Sequence, residues 1–145
     1  MATPTKFQSF VTALAAGTHA NALNAQTDTL KVMLCLTSPS ASADNVAGDI
    51  TVPRTEPTGT GYTAGGVDAN NTAATASGTI TVGASSNPSW TAGAADWDDF
   101  RYVVLYNSSV AGGPLISYWD YGSTVSLGNG ETFTVNVTTN YFTVA

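Results

Sequence analysis

Residues 100–106 read FRYVVLY, and this stretch decides the fold class. It is aromatic and β-branched throughout, with apolar residues at both parities, which is the composition of a strand covered on both faces. Working outward, Asn107–Gly113 reads as a turn and Leu115–Tyr121 (LISYWDY) as the next strand. Gly128-Asn129-Gly130 is a tight turn. Beyond it, Glu131–Thr138 (ETFTVNVT) alternates, with Phe133, Val135 and Val137 on one face and Thr132, Thr134 and Asn136 on the other. Tyr141–Val144 closes the chain as a further strand. Toward the N-terminus, Thr79–Val82 alternates as a strand, and Asn87–Trp97 reads as a wide loop holding two tryptophans. Thr29–Leu36 sends Leu30, Val32, Leu34 and Leu36 one way and Lys31, Met33 and Cys35 the other. That second face is only partly polar, so the strand belongs in a sheet interior. Ser38–Asp49 reads as a loop, and Ile50–Val52 as a short strand cut off by Pro53 and Pro57.

One helix precedes these strands. Phe7, Phe10, Val11 and Leu14 fall at i, i+3, i+4 and i+7, an amphipathic stripe opposite Lys6, Ser9 and Thr12. Thr3 suits the N-cap, Pro4 the first helical position and Gly17 the left-handed C-cap, so the helix is expected from about Pro4 to Ala16. Seven or eight short strands separated by turns then predict a mostly β chain. The expected form is a single antiparallel β-sandwich or jelly-roll-like domain over residues 1–145, its strands running from about residue 29 to 145. No period of 20–50 residues marks a solenoid or propeller.

Charged residues make up 10% of the chain, against about 25% in a typical domain. Thr, Ser, Asn, Gly and Ala take their place. Such a surface suits turns, and it also suits coverage by partners, because desolvating charge at an interface is costly. The net charge is −6, and the basic residues Lys6, Lys31, Arg54 and Arg101 are scattered. Nucleic-acid binding needs clustered positive charge, so no nucleic-acid partner is expected, nor an anionic membrane. No segment has the length of a membrane-spanning apolar run, and MATPTKFQSF lacks the apolar core of a secretory signal. Synthesis in a reducing cytoplasm is the expectation.

The catalytic inventory is small. Cys35 lies in an apolar run and reads as a small buried hydrophobe. His19, the only histidine, follows the helix end and reads as solvated or as a partner of the last helical carbonyls. Zinc, which takes several Cys or His ligands, is excluded. No cofactor and no enzymatic activity are expected. Asp96-Trp97-Asp98-Asp99 is the one carboxylate cluster, and Asp96, Asp98 and Asp99 are its candidate Ca²⁺ ligands. The full calcium-loop pattern fails, because its sixth and twelfth positions are Arg101 and Asn107. A phosphate-loop reading of Gly59–Gly66 (GTGYTAGG) lacks the following helix and Lys, which leaves a glycine turn anchored by Tyr62. Aromatic side chains are the remaining resource. Phe7, Phe10, Tyr62, Trp90, Trp97, Tyr118, Trp119 and Tyr121 are the candidate interface residues, with Tyr118 and Trp119 facing opposite ways on one strand.

The order KFQSFVTALAAG, DTLKVMLCL, GYTAGG, FRYVVLYN, SYWDYG, GETFTVNV resembles small virion structural proteins of tailed bacteriophages, of the head decoration (cement) type. The resemblance spans nearly the whole chain and rests on structural rather than catalytic motifs. It implies an oligomeric β module, expected to be a trimer, made in the host cytoplasm and docked on the capsid surface of the virion. Its partners would be the major capsid protein and further copies of itself. The alternative from another class is a carbohydrate-binding or receptor-binding module of a phage tail fibre or surface protein, using Trp90, Trp97 or Trp119 as a stacking face.

Overall fold

The computed structural model describes residues 3–25, 27–51, 55–95, 97–137 and 140–145. It is mostly β, a β-sandwich-like domain with antiparallel sheets and an N-terminal α-helix. The strands are β1 (Thr5–Lys6), β2 (Leu30–Cys35), β3 (Val67–Asp68), β4 (Asn71–Ala76), β5 (Thr79–Ala84), β6 (Ser89–Thr91), β7 (Phe100–Asn107), β8 (Leu115–Val125), β9 (Thr132–Thr134) and β10 (Phe142–Val144). The helix α1 spans Gln8–Ala15.

The central sheet runs β1-β8-β7-β2-β3, with β10-β5-β4 as a second sheet and β6-β9 as a ribbon. The FRYVVLY strand β7 and strand β2 are interior and buried on both faces. Val32, Leu34, Val103 and Leu105 enter the larger core, beneath the second sheet and the ribbon. Met33, Cys35, Val104 and Tyr106 enter a smaller core on the opposite face. Period-two alternation therefore supplies two cores at once.

The smaller core is roofed by a segment that reads as a plain loop in the sequence. Ile50, fully buried, packs there with Phe7 and Leu115. The roof is tied down by Ala47 N–H to Gly113 O (2.8 Å), Leu115 N–H to Asn45 O (3.0 Å) and Gln8 N–H to Ala41 O (2.8 Å). Ile50 and Thr51 continue a helical turn begun at Ala47–Asp49, so the expected strand Ile50–Val52 is not formed at those two residues. Val52 and Pro53 lie outside the described residues.

The helix starts later than its sequence suggests. Thr5 and Lys6 pair with Tyr118 and Ser117 as β1, and Phe7 takes the N-cap position without a side-chain capping bond. The apolar stripe is consequently divided. Phe7 enters the smaller core, Phe10 enters the larger, Leu14 packs partly against the larger, and Val11 is 49% exposed. The C-terminus follows expectation: Gly17 has φ +75°, with Gly17 N–H bonded to Leu14 O and Thr18 N–H to Ala13 O, the paired bonds of a Schellman cap.

Strands β3 and β4 lie where the sequence raises no expectation, and β6 where it predicts a loop. Strand β4 pairs with β5 through a two-residue Ser77-Gly78 turn, both residues at positive φ, which is the type I′ geometry that matches strand twist. Strand β6 sits inside the expected Asn87–Trp97 loop and pairs Trp90 with Phe133. Burial along Thr132–Val137 alternates as expected, although the ladder itself ends at Thr134.

Candidate functional site

The chain's reactive side chains are placed apart. Cys35 is buried in the smaller core, while His19 packs on Phe10 of the larger core, ring centroids 5.2 Å apart. His19 is not solvated, contrary to its position just past a helix. It is 0% exposed, and its Nδ1 lies 3.4 Å from Asn107 Nδ2, which donates to Asp28 Oδ2 at 2.8 Å. Among the described residues its Nε2 has no hydrogen-bond partner. Burial pushes the His19 imidazole below its ordinary pKa, and the nearby Asp28 carboxylate opposes that shift.

Asp98 and Asp99 of the acid turn bond to separate partners. Asp98 Oδ2 accepts from Thr58 N–H (2.8 Å) and Thr58 Oγ1–H (2.7 Å), and these bonds hold its carboxyl below the usual range. Asp99 accepts from the Ser126 hydroxyl. Asp96 lies outside the described residues. Among the described residues no three His, Cys, Asp or Glu side chains gather as a metal site.

The glycine turn is anchored by Tyr62, as its spacing suggests, through a partner that the sequence did not single out. Tyr62 Oη donates to Glu56 Oε1 at 2.5 Å and accepts from Leu34 N–H at 3.2 Å. Burial, then the Glu56 bond, pushes the Tyr62 phenol far above its ordinary value. Glu56 also accepts from Gly65 N–H, and Tyr106 Oη donates to Gly65 O. Both partners of Glu56 lie in the glycine turn that follows it, within nine residues.

Of the aromatic candidates, Phe7, Phe10, Trp90, Trp97 and Trp119 are core residues of this one chain, and Tyr62 and Tyr118 are partly buried. They pack on one another: Trp97 on Phe100, Trp90 on Phe133, Phe7 on Tyr118. Trp97 Nε1–H donates to Thr60 O at 2.8 Å. The indoles thus offer no outward stacking face. Tyr121 does, at 59% exposure.

Tyr121 owes its exposure to an irregularity in the sheet. Phe100 pairs with Val125 and Tyr102 with Asp120, so Arg101 alone on β7 lies between pairs that are separated on β8 by Tyr121, Gly122, Ser123 and Thr124. The excess residues bulge outward, with Gly122 at φ +92°. A bidentate Arg101–Asp120 pair (2.7 and 2.8 Å) closes the mouth of the bulge, and Asp120 Oδ1 also accepts from Gly122 N–H. The bulge aims Tyr121 edge-to-face at Phe133, 5.7 Å away, beside a half-open cleft of about 240 Å³. Val103, Trp119, Phe133 and Val135 supply its apolar lining, and Asp120, Thr134 and Asn136 its polar side chains.

No protein-family model, curated protein or solved structure matches this chain.

Proposed function

We propose that this protein is a bacteriophage head decoration protein, which binds the outside of the assembled capsid and stabilises it by bridging capsomers. The observation that carries this reading is the β4–β5 hairpin. Strand β4 lies at the edge of its sheet, with Thr72, Ala74, Thr75 and Ala76 exposed, and the chain carries no charged residue from Ala69 to Ala95. A neutral, small-residue sheet edge can be covered by another protein without stripping water from charges. Edge strands facing solvent permanently are normally guarded by charge or proline, and β4 has neither. The whole-chain resemblance to phage cement proteins points the same way. A ligand that binds the shell and not free subunits favours the shell by mass action. Engaging two or three capsomers at once, as the proposed trimer would, raises avidity by about 10²–10⁴. The tryptophan-face version of the sugar-binding alternative gains no support from the buried indoles.

The test is cosedimentation of purified protein with undecorated heads and, separately, with isolated capsid subunits. Saturable binding to heads, with little binding to subunits and greater resistance of the heads to heat, is expected. Equal affinity for both, or none for heads, overturns the proposal. Thr75→Glu and Thr72→Lys at the exposed edge should weaken head binding while leaving the fold intact.

A further inference from the structure

We infer that the cleft beside Tyr121 is a binding site for one neutral pyranose ring, such as a terminal unit of a surface glycan. The inference is independent of the head-docking proposal. Three observations meet at this place. The first is the bulge, which holds a large aromatic ring out of the core at 59% exposure, next to an apolar floor of Trp119, Phe133 and Val135. Bulges recur where a side chain must be re-aimed toward a ligand. The second is the character of the polar rim. Asn136 Oδ1 accepts from Asn87 Nδ2 at 3.1 Å, which orients the amide and leaves its own N–H donors for another acceptor. The Thr134 and Tyr121 hydroxyls complete a rim that both donates and accepts. The third is charge. The one ionised side chain in the lining, Asp120, has its charge balanced by Arg101 in a bidentate pair.

These features select the ligand class. An anion or cation would find no free countercharge and would lose its hydration. A purely apolar side chain would cover Thr134 and Asn136 without replacing their hydrogen bonds to water, which is unfavourable. A pyranose has a flat C–H face for the tyrosine ring and a hydroxyl rim for the amide and hydroxyls. A cleft of about 240 Å³ is below the roughly 300–1,000 Å³ of pockets for drug-sized ligands, which fits a single ring.

The experiment is a ¹H–¹⁵N NMR titration of the full chain with the methyl glycosides of glucose, galactose, mannose and N-acetylglucosamine, and with N-acetyl-leucine amide as the apolar probe. At least one glycoside should give saturable shifts at Gly122, the Asn136 side-chain amide and the Trp119 indole, with a Kd of about 1 mM, the affinity of one ring in a shallow site. Tyr121→Ala and Asn136→Ala should each weaken binding about tenfold or more, while Tyr121→Phe, which keeps the ring, should change it only a few-fold. An unchanged Tm in each variant separates loss of the site from loss of the fold. Absence of saturable shifts with every glycoside, binding indifferent to Tyr121→Ala, or tighter binding of the leucine probe would each overturn the inference.

Discussion

Gly66→Ala should be among the most damaging single substitutions in this chain, although it adds one methyl group to a loop. Gly66 has φ +72°, and a Cβ there would stand 1.8 Å from Val32 O, 2.6 Å from Val32 C and 2.7 Å from Met33 Cα. These are backbone atoms of a strand whose side chains at Val32 and Met33 are fully buried, so no flexible group can yield. Reaching ordinary contact at 3.4 Å requires a movement of roughly 1.6 Å, which parts the glycine loop from β2 at its pairing with Val67. The left-handed backbone costs a non-glycine residue about 1–2 kcal/mol, and forcing a close-packed contact apart adds about 1–3 kcal/mol. The expected loss is therefore about 2–5 kcal/mol. Gly78→Ala is the internal control: φ is +79°, but nothing lies within 4 Å of the added carbon, so only the backbone part, about 1–2 kcal/mol, applies. Urea unfolding followed by tryptophan fluorescence measures both. Equal losses in the two variants would refute the close-approach argument and make the GYTAGG glycines merely flexible.

Phe10→Ala should destabilise by about 3–5 kcal/mol, because the ring packs on His19 and Phe142 inside the larger core, whereas Val11→Ala on the exposed side should stay within about 0.5 kcal/mol. Thermal melts of the two variants would reveal a helix lying the other way round if the order were reversed. His19 should make stability fall on acidification. Its pKa is lowered in the folded state from the ordinary 6.5, so the unfolded chain takes up the proton first. Its contribution is complete above about pH 6.5, declines as pH drops below that, and levels off once the folded-state value is passed. His19→Gln should flatten that part of a pH–stability curve, and an unaltered slope would exclude His19 as its source. If the proposed trimer forms, light scattering should give a mass three times the 14.8 kDa of the chain, and a strict monomer would contradict it.

The elements that sequence reading captured are those whose signal is local. Strands β2, β7 and β8 announce themselves by runs of large apolar residues, and the end of α1 by Gly17 at the C′ position. What escaped depends on distant partners. Strand β4 is built of Asn, Thr and Ala, and only Asn71 and Ala73 of its inward side are partly covered, so no apolar alternation exists to find; the Ser77-Gly78 turn was its one signal. Phe7 and Phe10 keep helical spacing yet serve opposite faces of the sheet, because β1 carries the chain along the β8 edge before the helix begins. The roof over residues 38–51 has the composition of a loop, and its order comes from bonds to residues 8 and 113–115. Tyr121 was among the aromatic candidates, but the register shift that singles it out arises from the pairing of β7 with β8, a nonlocal property. His19 takes its polar surroundings from Asn107, far away in sequence, and so its environment was not foreseen, whereas Glu56 meets Tyr62 and Gly65 within nine residues through a turn whose path the composition does not specify.

The head-decoration account is tested most directly by dissecting the virion itself. If a phage encodes this chain, as proposed, its particles would be separated into heads and tails, and the chain quantified in each fraction by mass spectrometry against the major capsid protein. The account predicts that the chain travels with the heads at a fixed ratio set by the lattice and is removed from them without loss of the packaged shell proteins. Heads devoid of the chain, with the tails carrying it, would contradict the account.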